Sequence, residues 1–594
     1  MGYGARGKRV PAVGNSAGVN QVDAFKMGIV GTFERGFKQV VQSGIYSFAD
    51  FGIQMGLYGD GVFNSPYVVE SFYKELEVSN PVEIKALGFV AADAVNATGV
   101  VNDVASSPAV LWNMKAAKKG VLDVSAFGNK IGIQLSTSEL TTIKLTSAVA
   151  IGATSAVLAA VHNLKVNQYI RLAESGSDDE VVVITAIDPA TKTITFAATT
   201  YGYTVALCDV KRVDIKVLVG VKNLIGEFEL KETFESTLTK SDTAGILGII
   251  NSELDGSNYI MINRNAANAS TAEEQIPADI TAWQPLTSGA DGTPATDADY
   301  LALMPYFTDT DITILIAPES ATVEHNQNMA EWATADYKCM YYAQAANKAG
   351  EDSLKAFGDS MRKNVIFSML PSDKWLGVTD AVTGEEKAIP KVGVDAAFWF
   401  NVYATVGESK VAAGNKPSMT LKSSDRLIDD NGLVHNDIAG KGGRLIREYG
   451  INICRSRPGI GINNNSARTF CLDKGYTFQN QIFAWIIYRK SVVAYLETIE
   501  QNRAGNMSQY LHRRAVKNFM LKKYEQGHLF KGKTDSGKVT GFNDVCIIVN
   551  DFSNNTLADI ANGIEQTFLQ FVAPPPIEEP ILSLASAAVT TIKG

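Results

Sequence analysis

The chain has 594 residues, 46% of them hydrophobic and 20% charged, with a net charge of −9. That length exceeds what one hydrophobic core serves and predicts roughly three to four domains. The composition is that of a folded soluble protein, and the acidic balance argues against a dedicated nucleic-acid binder.

Residues 1–24 are rich in Gly, Asn and Val without a sustained period, and read as an arm that is ordered only when a partner holds it. They contain no apolar run of the kind a secretory signal needs, and no stretch of the chain has the roughly 18–20 apolar residues of a membrane span. In 25–135, KMGIVGTFERG predicts a buried strand and a turn, and PYVVESFYKEL has helical spacing through Val68, Phe72 and Leu76. Residues 136–214 change character. LTTIKL, QYIRLA, EVVVITAI and KTITFAA are short β-rich runs separated by ESGSDD and DPATKT, which predicts a small all-β module inserted in a larger fold.

Mixed α/β patterning returns over 215–430. IKVLVGV and EFELKETF predict strands, DADYLALMPYF a helix, and DITILIAP a strand buried within a sheet. NMAEWATADYKCMYYAQAANKAG has helical composition. Over 431–576 the pattern gives the loop DDNGLVHNDIAGKGG, a strand around RPG, helices at about 479–500 and 506–524, and two terminal strands. APPPIEEP is an extended connector to 577–594, whose ILSLASAAVTTI is apolar, small and β-compatible. Ile581, Leu582, Leu584, Val589 and Ile592 are its candidate strand-exchange residues, because a β-compatible tail gains main-chain hydrogen bonds on a neighbour's sheet edge.

Catalytic patterns lack their context. Gly14-Asn15-Ser16-Ala17-Gly18 matches GxSxG, but Pro11 and nearby charges spoil the buried strand that a nucleophile elbow requires. Ala439–Gly443 (AGKGG) lacks Walker spacing and reads as a mobile loop. The five histidines include no HExxH, and the five cysteines form no CxxC and read as thiols of a reducing compartment. Asp309/Asp311 and Asp429/Asp430 read as solvated turn carboxylates. No catalytic residue, metal ligand or cofactor is expected.

The basic stretch from Arg503 to Lys533 is more informative. It holds eight lysines and arginines against the single acid Glu525, in a chain of net negative charge. On a helical wheel Met507, Leu511, Ala515 and Phe519 share one face, and Arg513, Arg514 and Lys517 project from another.

In order, IREYGINICRSRPGIGINNNSARTF, YTFQNQIFAWIIYRKSVVAYLETIEQN and the segment from VTGFNDVCIIVNDF to the terminus resemble the C-terminal domain of contractile tail sheath proteins. LTSGADGTPATDADYLALMPYFTDTDITILIAPE, AAKKGVLDVSAFGNKIGIQL, ELDGSNYIMI and MGIVGTFERG followed by FADFG extend the resemblance over most of the chain. A Pro-Gly-Val-Tyr-type opening is replaced by RVPAVGN. The resemblance implies a multidomain mixed α/β (α+β) protein. Its parts would be an N-terminal arm (1–24), an N-terminal α/β part (25–135), the β-module (136–214), a central α/β domain (215–430), a conserved C-terminal domain (431–576) and a strand-exchange arm (577–594).

It further implies a structural, non-enzymatic subunit, assembled in a host cytoplasm and located in a virion tail. Such subunits stack as hexameric rings in a helical polymer around a tail tube and contract to drive the tube through the host envelope. The implied partners are further copies, the tail tube protein, and baseplate and tail terminator proteins, with no direct nucleic acid and no membrane insertion. Arg513, Arg514, Lys517, Lys522 and Lys523 are the tube-contact candidates. The alternatives are a hydrolase using Ser16 with His435, or a non-contracting baseplate or adhesive virion protein.

Overall fold

The fold was described from a computed structural model. It describes residues 19–576 except 60–61, 106, 175–178, 266–271, 273–274, 308–310, 336–337, 415–420, 422–425, 429–440, 458–460, 499–505, 534–535 and 563.

The near-continuous apolar runs of the sequence become the centre of a six-stranded sheet. Its order is Ser368–Met369, Met340–Tyr342, Ile314–Ile316, Lys26–Gly31, Glu83–Gly88 and Gln42–Ile45. All neighbours are parallel except the last pair, which is antiparallel. Alternate residues of each strand feed two cores, as the two-residue period of a strand requires. Met27, Ile29, Ile84, Ile314, Ile316 and Tyr342 join one, and Val30, Leu87, Leu315 and Tyr341 join the other. Strands buried on both faces cannot alternate polar and apolar residues, which is why DITILIAP reads as one unbroken run.

Helices cover both faces. On the first lie Ser65–Glu75, Val392–Val406 and Gln479–Thr498, and on the second Asp297–Leu303, Val323–Thr334, Glu351–Met361 and Lys441–Tyr449. The segment of helical composition is divided. Its first part belongs to the helix Val323–Thr334, but Met340–Tyr342 is a fully buried parallel strand between Ile314–Ile316 and Ser368–Met369. Tertiary pairing overrides composition here, and Cys-Met-Tyr-Tyr suits a two-sided buried strand. Lys441–Gly443, read as mobile loop, opens the helix Lys441–Tyr449.

An antiparallel six-stranded sheet is built on two long strands, Ile131–Lys144 and Cys208–Lys222. Their register shifts between Lys211 and Arg212, whose partners are Thr142 and Leu140. On the far side of this bulge Cys208 and Val210 enter a core with Leu158, Ile170, Phe196 and Tyr203. On the near side Val213, Ile215, Val217 and Val219 enter a different core with Trp112 and Ile260. Odd and even positions of one strand thus serve opposite faces, and the bulge is where burial changes side. The β-rich runs predicted at 136–214 fall in these two strands, in Tyr169–Glu174 and Glu180–Val183 of the same sheet, and in a three-stranded sheet of Ala186–Asp188, Thr193–Thr195 and Ser155–Val157.

Candidate assembly surface

Two consecutive helices and a hairpin make up the C-terminal end of the described chain. Ile482, Phe483, Ile486 and Ile487 of Gln479–Thr498 lie in the main core. Asn506–Glu525 buries only one stripe, with Ala515, Val516, Phe519 and Met520 against that core. Tyr488 joins the layers, its ring 5.8 Å from that of Phe519 and 5.1 Å from that of Phe571. Both helices lie where the sequence periodicity put them.

The hairpin is an antiparallel pair, Cys546–Val549 with Phe568–Phe571, in register Cys546↔Phe571 and Val549↔Phe568. Ile548, Leu569 and Phe571 pack toward the core, whereas Ile547 and Phe568 on the other face are 49% and 50% exposed. Among the described residues no third strand joins either edge. The connection between the strands is pinned to the basic helix. His512 Nδ1 is 2.6 Å from Glu565 Oε1, and Arg513 donates to Asp551 at 3.0 Å. Within it, Thr556 and Asp559 form a capping box at the start of Leu557–Ala561. After the hairpin the chain is fastened again: Val572 N–H donates to Val545 O at 2.9 Å, and Asn480 Nδ2 donates to Pro574 O at 2.7 Å.

The five tube-contact candidates share this helix but divide between its faces. Arg514, Lys517 and Lys522 are exposed, and among the described residues none of them forms an ion pair. Arg513 is half-exposed and engaged with Asp551. Lys523 points inward: it is 5% exposed, and its amine lies 2.7 Å from the buried carboxylate of Glu408, which also accepts from Tyr488 Oη at 2.7 Å. Burial works against the Glu408 carboxylate, but the Lys523 ammonium prevails and holds the Glu408 pKa below its ordinary value. Lys523 is therefore an internal counter-charge rather than part of the outward basic surface. The spacing 514, 518, 522 marks the outer stripe; Glu408, remote in sequence, supplies the pull that turns Lys523 in.

Two clefts flank the basic helix. One of about 430 Å³ lies beside the open edge of Cys546–Val549, lined by Tyr510, Arg513, Lys517 and Phe542 among others. The second, about 470 Å³, lies between Arg514, Lys522 and residues 19–21. Residues 19–24, read as part of an arm, rest on the chain's own helices: Val19 is buried, Val22 N–H donates to Ser491 Oγ at 3.1 Å, and Gln21 bonds Tyr403 Oη and Lys523. The arm candidates Ile581, Leu582, Leu584, Val589 and Ile592 lie outside the described residues, as do Ser16, His435 and Arg503.

Among the described residues, no group of three His, Cys, Asp or Glu side chains is placed to hold a metal ion, and no helix is long and apolar enough to cross a membrane. All five cysteines are buried free thiols.

No protein-family model and no curated protein matches the sequence. Solved structures do. The chain is similar to contractile sheath proteins. A crystal structure of a sheath tail protein from Desulfitobacterium hafniense aligns with 10% identity and a TM-score of 0.43, covering 89% of this chain and 92% of that one. The sheath complex of an extracellular contractile injection system, in its contracted state, aligns with 15% identity and a TM-score of 0.38 over 50% of this chain and 76% of that one. A chain of the anti-feeding prophage baseplate aligns with 14% identity and a TM-score of 0.39 over 50% and 75%. At TM-scores below 0.5 these likenesses carry no weight for function.

Proposed function

We propose that this chain is a structural subunit of a contractile tail sheath. Copies would stack as hexameric rings around a tail tube and shorten collectively, with no bond chemistry. The sequence resemblance over most of the chain motivates the reading, and one structural observation supports it: a sheet with only two strands among the described residues and an apolar outer face, beside the last described residues. Exposed sheet edges invite pairing with a further strand. Strands lent by neighbouring copies, with Ile581, Leu582, Leu584, Val589 and Ile592 as their apolar residues, would complete this sheet. The prediction is that deleting 577–594 leaves soluble, non-polymerising protein, whereas the full chain forms hollow striated cylinders in negative-stain micrographs. Ordinary cylinders from the truncated chain would refute it.

On the same reading Arg514, Lys517 and Lys522, with Arg513 beside them, face the tail tube, where charge attraction holds without close packing and permits sliding. The segment boundaries at 24, 135, 214, 430 and 576 follow from this assignment, with the β-module decorating the outside. Baseplate and terminator proteins would meet the two ends of the polymer, in a virion tail.

A further inference from the structure

Apart from the assembly surface, Lys391, Asp395 and Asn464 form a buried cluster of reactive groups. Lys391 ends the turn before the helix Val392–Val406, Asp395 sits one turn into that helix, and Asn464 closes the strand Gly461–Asn464. Lys391 and Asp395 are each 1% exposed and Asn464 is 2% exposed. The Lys391 amine bonds Asp395 Oδ1 and lies 3.4 Å from Asn464 Oδ1. Asn464 Nδ2 donates to the same Asp395 oxygen at 2.8 Å. The other oxygen, Asp395 Oδ2, is buried without a hydrogen-bond partner. The Phe398 ring, 4.9 Å from the amine, closes one side against water.

A carboxylate that touches an amine and a carboxamide at once, in a dry site, is placed to pass protons between them. An i,i+4 ion pair needs no Asn464, and the unpartnered Asp395 Oδ2 leaves one carboxylate oxygen free to take a proton. The geometry points to an intramolecular isopeptide bond between Lys391 Nζ and Asn464 Cγ, formed with Asp395 as the proton-transferring group.

The Lys391 ammonium gives a proton to Asp395, and the freed lone pair attacks Asn464 Cγ. Asp395 relays protons from the attacking nitrogen to Nδ2, the Cγ–Nδ2 bond breaks, and ammonia leaves. Of the three ammonium protons, one stays on the new amide nitrogen, one departs with the ammonia and one remains on the Asp395 carboxyl. No oxidant, metal or nucleotide takes part. The product joins the helix Val392–Val406 to the hairpin Cys454–Arg457/Gly461–Asn464 covalently across the interior. This inference does not rest on the sheath assignment.

The test is the intact mass of the purified, folded full-length protein, followed by peptide mapping. The expected mass is that of the sequence less one ammonia, with Lys391 resistant to trypsin and its peptide joined to the one containing Asn464. Asp395→Ala and Lys391→Arg should each restore the full mass. Full mass with a free Lys391 in the folded wild type overturns the proposal. So does an ammonia deficit without joined peptides, which would mean cyclisation at Asn464 alone, or joined peptides that persist in Asp395→Ala. The wild-type map decides even where a variant fails to fold.

Discussion

Gly393 shows how a single missing side chain sets a helix distance. A Cβ there would lie 2.7 Å from Val68 Cγ1 and closer still to Val68 O, so Val392–Val406 and Ser65–Glu75 touch backbone to backbone. Gly393→Val should therefore cost ~1–3 kcal/mol through overpacking, read as a lower denaturation midpoint. Lys118 offers a test by pH. Its amine bonds Gln42 Oε1 at 2.6 Å and Gln54 Oε1 at 3.0 Å, while burial first, and then the charges of Arg35 and Lys119, lower its pKa to about 8 from the ordinary 10.5. Between those values the unfolded chain binds more protons than the folded one, so the penalty for Lys118 is full below about 8 and is relieved as the pH rises toward 10.5. Wild-type stability should gain on that of Lys118→Met across this window; parallel profiles would refute the assignment. Arg35 and Asp123, both wholly buried and 2.7 Å apart, form a pair of another kind. Asp123→Ala should cost ~3–5 kcal/mol, because the guanidinium loses its counter-charge where water cannot replace it.

At the scale of elements, the basic helix separates two roles that a helical wheel merges. Charge reversal at Arg514, Lys517 and Lys522 should leave the fold intact and weaken co-sedimentation with the tube protein of the same particle, most at low salt. Lys523→Glu should instead reduce folded yield, since it sets a second carboxylate against buried Glu408. The helices Gln479–Thr498 and Asn506–Glu525 were legible because their apolar periodicity is local. The inward turn of Lys523 was not, because its partner Glu408 is more than a hundred residues away in sequence. Met340–Tyr342 has helical composition in the sequence, and only its flanking strands, near 315 and 368, reveal a sheet. Lys391 and Asp395 have ion-pair spacing in the sequence, but Asn464 joins them only through the fold.

For the whole molecule, the mixed α/β class and the β-rich character of 136–214 followed from period and turn chemistry. The bulge at Lys211/Arg212, where burial changes face, leaves no mark in composition. The tail fastenings have a mechanical consequence. Val572 is tied to Val545 and Phe530, and Pro574 is held by Asn480 at the root of the long core helix. Tension on the chain beyond 576 therefore reaches the interior through the foot of that helix before it can unzip Phe568–Phe571. In the sheath proposed above, a subunit pulled at this point would turn as one solid piece.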